Sequence, residues 1–198
     1  MRPAGYIISA PGGDIGTRGT AYTYVVAGDG LWLEADNGIL KARACLAPVP
    51  VRGLPPAEPL LELRHGRIPV AVLSLAVNAF SAWAHQEAYA AIVWGELGYR
   101  VVFPPQEGTS GSVTYEPVPG TVVGLHSHGR MGAFFSGTDD RDDQGFQVSV
   151  VVGKLDRLVP AAAARLCIYG YHAPVDLRDV FLGLPPWIDE KFGAYDYE

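Results

Sequence analysis

The sequence predicts an α/β fold preceded by a small β-rich section, on three observations. Residues 1–66 are dense in Gly, Pro and β-branched or aromatic residues. Leu73, Val77, Phe80 and Ala84 then recur at helical spacing. Short apolar runs bounded by glycines and polar turns follow, as far as about residue 171. Of the 198 residues, 48% are hydrophobic and only 18% charged, which excludes a disordered or fibrous chain and leaves material for one full core and a small appended module.

In chain order, Tyr22-Thr23-Tyr24-Val25-Val26 and Leu31-Trp32-Leu33-Glu34-Ala35 flank Ala27-Gly28-Asp29-Gly30, the pattern of a hairpin closed by a glycine-containing turn. Pro48, Pro50, Pro55, Pro56 and Pro59 lack amide donors and discourage helix and central strand alike, so this stretch reads as a linker. The helix is expected over about 69–86, with Pro69 tolerated in its first turn. Strands follow at Ala88 to Trp94, Tyr99 to Phe103, Ser112 to Tyr115 and Thr121 to Leu125, read together as a meander, with a hairpin turn at Gly95-Glu96-Leu97-Gly98. A short helix or turn from Ser136 to about Gly145 precedes strands at Phe146 to Val152 and Arg165 to Tyr171. The segment from Leu182 to Glu198 is expected to be irregular and docked on the surface; no repeat or low-complexity tract is present.

A net charge of −6 argues against a sequence-independent grip on nucleic acid, which rests on clustered Lys and Arg. No run of about eighteen apolar residues suggests a membrane span, and Met1-Arg2-Pro3-Ala4-Gly5 does not open a secretory signal, so a cytoplasmic protein is expected. Cys45 and Cys167 are too few for a disulfide scaffold and lack the paired spacing of a cysteine zinc site; both read as buried thiols.

The chemistry concentrates in Gly124-Leu125-His126-Ser127-His128 and, after seven intervening residues, Ser136-Gly137-Thr138-Asp139. Two histidines two apart on a strand point to one face, so both imidazoles reach one metal ion. A carboxylate returned by a short loop completes two His and one acid, a donor set of catalytic zinc sites with an open fourth position. Each half has a plainer reading: an isolated HxH arises by chance, and Ser-x-x-Asp is an ordinary helix capping box. His65 and His85 lack partners at ligand spacing, and His172, which follows an apolar run, reads as a strand-end histidine. Asp140, Asp142 and Asp143 read as a solvated first-turn helix face, with Asp140 within reach of the site's surroundings.

The joint pattern resembles the JAMM (MPN-type) zinc metalloproteases, whose motif is an upstream Glu followed by HxHx7SxxD. His126, His128, Ser136 and Asp139 match every position, and the resemblance covers roughly residues 69–172. It implies a JAMM/MPN core in which a mixed central β-sheet is flanked by helices, as in cytidine deaminases, within a catalytic domain over 67–198. It also implies one Zn2+ on His126, His128 and Asp139, with Glu87 as the base and Ser136 as donor to the oxyanion. The family places its Glu between the first core helix and the next strand, which selects Glu87 over Glu62, Glu96, Glu107 and Glu116. Many members have proline after the second histidine; Gly129 here reads as a freer loop.

Val51-Arg52-Gly53-Leu54-Pro55-Pro56, Phe134-Phe135-Ser136, Asp139-Asp140 and Ile168-Tyr169-Gly170-Tyr171 make the chain most similar to bacterial JAMM proteins of PRTRC-type plasmid operons or of ubiquitin-like conjugation operons. The implied activity is hydrolysis of the amide bond after the C-terminal tail of a ubiquitin-like protein, in processing or deconjugation. The implied partners are that protein or its conjugates and the activating and conjugating enzymes of the same operon. The alternatives are a non-catalytic MPN-type scaffold and a zinc hydrolase of small peptides.

Overall fold

The computed structural model describes residues 2–184 and 189–190, and the chain divides into two compact units, Met1–Gly66 and Arg67–Glu198. The first is a six-stranded sheet in the order β2-β1-β3-β4-β5-β6. Its strands are β1 (Ala4–Ile8), β2 (Ile15–Thr17), β3 (Tyr22–Ala27), β4 (Gly30–Asp36), β5 (Leu40–Pro48) and β6 (Leu60–Leu63). The expected β3–β4 hairpin is present, with Ala27 opposite Gly30, and β1 adds to β3 in parallel.

The proline-dense stretch is no spacer: it lies between β5 and β6, which pair with each other, and it is bonded to the sheet. Gly28 N–H donates to Pro55 O at 2.7 Å and Val51 N–H to Gly28 O at 2.9 Å. Asp29 Oδ1 accepts from the Ala57 amide and from Trp32 Nε1. Ala57 thereby packs on Ile7, Val25, Ala27 and Trp32. Prolines suit such a cover because they need no amide partner. Cys45, expected to be buried, is exposed on β5.

The second unit opens with β7 (Ile68–Pro69) and α1 (Val70–Ala82), then β8 (Ala88–Gly95), β9 (Gly98–Val102), β10 (Gln106–Gly108), β11 (Val113–Tyr115) and β12 (Thr121–Ser127). It continues with α2 (Gly137–Asp142), β13 (Phe146–Gly153), β14 (Ala161–Ile168), β15 (Tyr171–Val175), α3 (Leu177–Val180), β16 (Phe181–Leu182) and β17 (Asp189–Glu190). The main sheet runs β15-β14-β13-β12-β8-β9, with β17 joining β14. It is mixed: β12 and β13 are parallel, while β12–β8, β13–β14, β14–β15 and β8–β9 are antiparallel. The expected α/β architecture with a β-rich N-terminal region is thus present.

Three further expectations differ from the fold. The four strands after α1 are no meander: β10 and β11 form a ribbon of their own, and β12 returns to pair with β8. The helix stops at Ala82, where Trp83 turns out of helical geometry and donates to Phe80 O. Of the C-terminal segment, Asp189–Glu190 pairs in parallel with β14, and residues 185–188 and 191–198 lie outside the described residues.

Burial follows the pattern that named the helix. Leu73, Ala76, Val77 and Phe80 form the buried stripe of α1, which packs against β8, β9 and β16. β8 and β14 are alanine-rich and buried on both faces, as strands covered on either side must be. Among the described residues no helix is long and apolar enough to cross a membrane. Phe80 is wholly buried, so Phe80→Ala is expected to cost about 3–5 kcal/mol in a urea titration. Leu75→Ala, 61% exposed on the same helix, should stay within about 0.5 kcal/mol of the parent.

Candidate metal centre

β12 supplies both histidines. His126 lies on the strand and His128 just beyond it, where the His128 amide still donates to Val152 O at 2.8 Å and prolongs the parallel ladder past the strand end. Period-two alternation puts both imidazoles on one face, and each residue is only 4% exposed. Ser127, between them, accepts the Ala88 amide on Oγ at 2.9 Å. That bond ties the start of β8 to the end of β12.

Register then places the acid. His126 faces Tyr89 and Ser127 faces Ala88 across the β12–β8 ladder, so Glu87, one residue before β8, comes opposite His128 and on the imidazole face. Glu87 is half-buried. Burial raises its carboxyl above the ordinary value; the His128 charge opposes this and the Asp139 charge adds to it. Glu96 is in the turn at the other end of β8, Glu107 and Glu116 are exposed, and Glu62 belongs to β6 of the first unit.

Parallel strands need a long crossover, and the one from β12 to β13 carries Ser136 and Asp139. The two readings of Ser-x-x-Asp coexist. Ser136 caps α2, its hydroxyl accepting the amides of Thr138 and Asp139 while Asp139 Oδ2 accepts the Ser136 amide at 2.6 Å, a complete capping box. The Ser136 hydroxyl also donates to Asp139 Oδ2 at 2.6 Å. The same carboxylate faces both imidazoles, Oδ1 standing 3.9 Å from His126 Nδ1 and Oδ2 3.6 Å from His128 Nε2. Both separations are too long for hydrogen bonds.

Two imidazoles and a carboxylate are residue types that ligate a divalent ion. His126 Nε2 and His128 Nδ1 are buried without a hydrogen-bond partner, so each imidazole has one nitrogen toward Asp139 and one unsatisfied, a state native interiors seldom leave unexplained. Burial pushes the His126 pKa down against the pull of Asp143 and Asp139, which favours the neutral, ligating form. Burial also pushes the Asp139 carboxyl up, but His128, the Ser136 hydroxyl and amide, and His126 outweigh it and hold that carboxyl well below the usual range. Donors on one tetrahedral zinc stand on the order of 3.3 Å apart, slightly closer than the separations here. Correspondingly, no group of three His, Cys, Asp or Glu among the described residues is drawn in to the spacing of a formed metal site.

Aromatic rings wall the histidines. Tyr89 stacks on Tyr115 at 3.7 Å, both meet His126 edge-on at 5.0 and 5.7 Å, and Phe134 meets His128 at 4.9 Å. Burial raises the Tyr89 phenol to about 12, with Thr121 opposing and Asp143 adding to the rise, so it stays protonated. A cavity of about 230 Å³ opens beside His128, lined by residues that include His85, Gln86, Ser110, Arg130 and Met131.

These features belong to a recognisable kind of domain. The sequence pattern of the family described as prokaryotic homologs of the JAB domain matches residues 69–166. The chain carries a JAB domain. The match spans α1 to β14, and with it Glu87, both histidines, Ser136 and Asp139. No curated protein matches the chain.

Several residues that shape the JAB domain's site were missed by sequence reasoning or read differently. Tyr89, two residues after Glu87, was available from strand alternation; Tyr115 and Arg165 depended on pairings that sequence does not display. Asp143 is no solvated helix residue: it is 1% exposed and bound to the wholly buried Arg165. His172 contacts the Asp143 carbonyl rather than the histidine pair, and His85 lines the cavity.

Gly129 differs from the family's frequent proline for a reason other than mobility. Its φ is +55°, the left-handed region that a proline ring forbids, and a Cβ there would come within 2.7 Å of Ala84 O. Gly129→Pro is therefore expected to lower the thermal midpoint by several degrees or more, measured by circular dichroism; an unchanged midpoint would contradict this loop geometry.

Proposed function

We propose that the JAB domain is a zinc-dependent peptidase that hydrolyses the amide bond after the C-terminal tail of a ubiquitin-like protein, as an isopeptidase or a precursor-processing enzyme. The observation that supports it best is one buried carboxylate, Asp139, facing two buried imidazoles, while strand register brings Glu87 to the same sheet face. In this reading His126, His128 and Asp139 hold one zinc ion. When bound, zinc supplies Lewis acidity, polarising the scissile carbonyl and making water nucleophilic near neutral pH.

The chain's own groups perform the rest. Glu87 accepts a proton from the attacking water and delivers it to the departing amine. Its upward-shifted carboxyl suits that exchange, because a base close to the working pH both takes and returns a proton. The Ser136 hydroxyl, which here donates to Asp139, turns to donate to the oxyanion as the carbonyl carbon becomes tetrahedral, a contact worth on the order of 10²–10³ in rate at comparable sites. Tyr89, Tyr115 and Phe134 narrow the approach and keep bulk water from the buried histidines, favouring an extended tail with small residues near the cut.

The ubiquitin-like substrate rests on the resemblance to JAMM proteins of bacterial conjugation operons, as do activating and conjugating partners and a cytoplasmic location. Incubating zinc-loaded protein with fusions of bacterial ubiquitin-like proteins, followed by mass analysis, should show cleavage after the terminal glycine; intact fusions would sink the substrate assignment. Glu87→Gln is expected to retain zinc while losing about 10²–10⁴ in turnover. Asp139→Asn should lose zinc as well, read by metal analysis after dialysis. Full cleavage by the Glu87 variant would remove it as the base.

A further inference from the structure

α2 reads Gly137-Thr138-Asp139-Asp140-Arg141-Asp142, and the only residue it buries is Asp139. A six-residue helix is marginal by itself, and helices are ordinarily fixed to a core by an apolar stripe. This one has none, so polar contacts must determine where it lies on the sheet. Its capping box orders Ser136 against Asp139, but both are within the same turn. Gln147 Nε2 donates to Asp143 Oδ1 at 3.3 Å and His172 Nε2 meets the Asp143 carbonyl at 3.2 Å, but the side chain that reaches both Asp140 and Asp143 with charge-assisted hydrogen bonds comes from β14.

Arg165 is wholly buried. Its Nε and Nη2 donate to Asp143 Oδ2 at 3.1 and 2.7 Å, its Nη1 donates to Asp140, and its guanidinium carbon lies 4.1 Å from the centre of the Phe135 ring. Phe135 immediately precedes Ser136, Asp140 immediately follows Asp139, and Asp143 is one helical turn beyond it. One guanidinium thus grips three residues that bracket both Ser136 and Asp139.

The sheet sets the scale of this grip. Arg165 faces Ser149, which faces Gly124, while Val151 faces both Ala163 and His126. Arginine and imidazole therefore occupy neighbouring rows of one face, about 7 Å apart along the strands. Asp139 and Asp143 are separated by about 6 Å of helical rise and share a helix face. The helix repeat and the row repeat match, so fixing Asp143 on Arg165 brings Asp139 over the histidines.

We propose that Arg165 is a positioning residue for the metal-side groups, setting Asp139 and Ser136 against His126 and His128 through Asp143, Asp140 and Phe135. The inference rests on the zinc reading above. Lysine in its place would keep a charge but lack the planar fork that binds two carboxylates while stacking on a ring.

The test is zinc affinity by chelator competition, together with the visible absorption of the Co2+-substituted protein, on the full chain. Arg165→Lys should remain folded yet bind zinc about 10–100-fold more weakly, with a displaced Co2+ spectrum. Ile92→Ala, a wholly buried position on the opposite face of β8, serves as a destabilised control and should keep parental affinity and spectrum. Equal losses in both variants would mean a merely structural role and overturn the proposal, as would parental zinc binding by Arg165→Lys. Should that variant fail to fold, Asp143→Asn and Phe135→Leu, which leave the guanidinium in place, are expected to weaken zinc binding; parental affinity in both overturns it equally. A parent protein that binds no zinc would instead overturn the metal reading, and this inference with it.

Discussion

Everything in the candidate centre is referred to one strand, β12. β12 is antiparallel to β8 on one side and parallel to β13 on the other, and each partnership contributes something different. The antiparallel ladder sets Glu87 opposite His128 by register alone, and Ser127 locks that register by accepting the Ala88 amide. The parallel ladder obliges the chain to leave β12 by a long crossover, and that crossover passes back over the sheet face carrying Ser136 and Asp139. A slip of one residue in either ladder would turn the histidines into the opposite side of the sheet.

The energetic problem of the site is buried charge. Asp139 and Asp143 are nearly inaccessible, and an isolated carboxylate in such a place would cost several kcal/mol. The structure resolves the two differently. Asp143 receives a buried guanidinium, while Asp139 receives the Ser136 amide and hydroxyl on one oxygen and two imidazoles beyond hydrogen-bond length. The asymmetry separates a carboxylate committed to architecture from one whose second oxygen remains available.

The legible part of the protein was the part written in local spacing. HxH followed by SxxD is readable because strand alternation and a helix cap are local, and Glu87 because it sits at a strand start that composition reveals. Leu73, Val77 and Phe80 disclosed α1 for the same reason. Asp143 was misread because sequence does not show which side of a short polar helix meets the sheet; that depends on Arg165, more than twenty residues later. In the first unit β3 and β4 were visible as one hairpin, whereas β1 joins β3 in parallel and β6 returns to β5 across the prolines. Proline and glycine in those segments report turn chemistry and hide the pairing.

Gly129 couples two segments that are distant in sequence. Its left-handed backbone and its closeness to Ala84 O bind the residue after the second histidine to the turn after α1, over forty positions earlier. A proline there would require a differently routed loop and a remodelled Ala84 turn, so the two segments constrain each other. A loop grafted after the second histidine would therefore have to travel together with the end of the first helix.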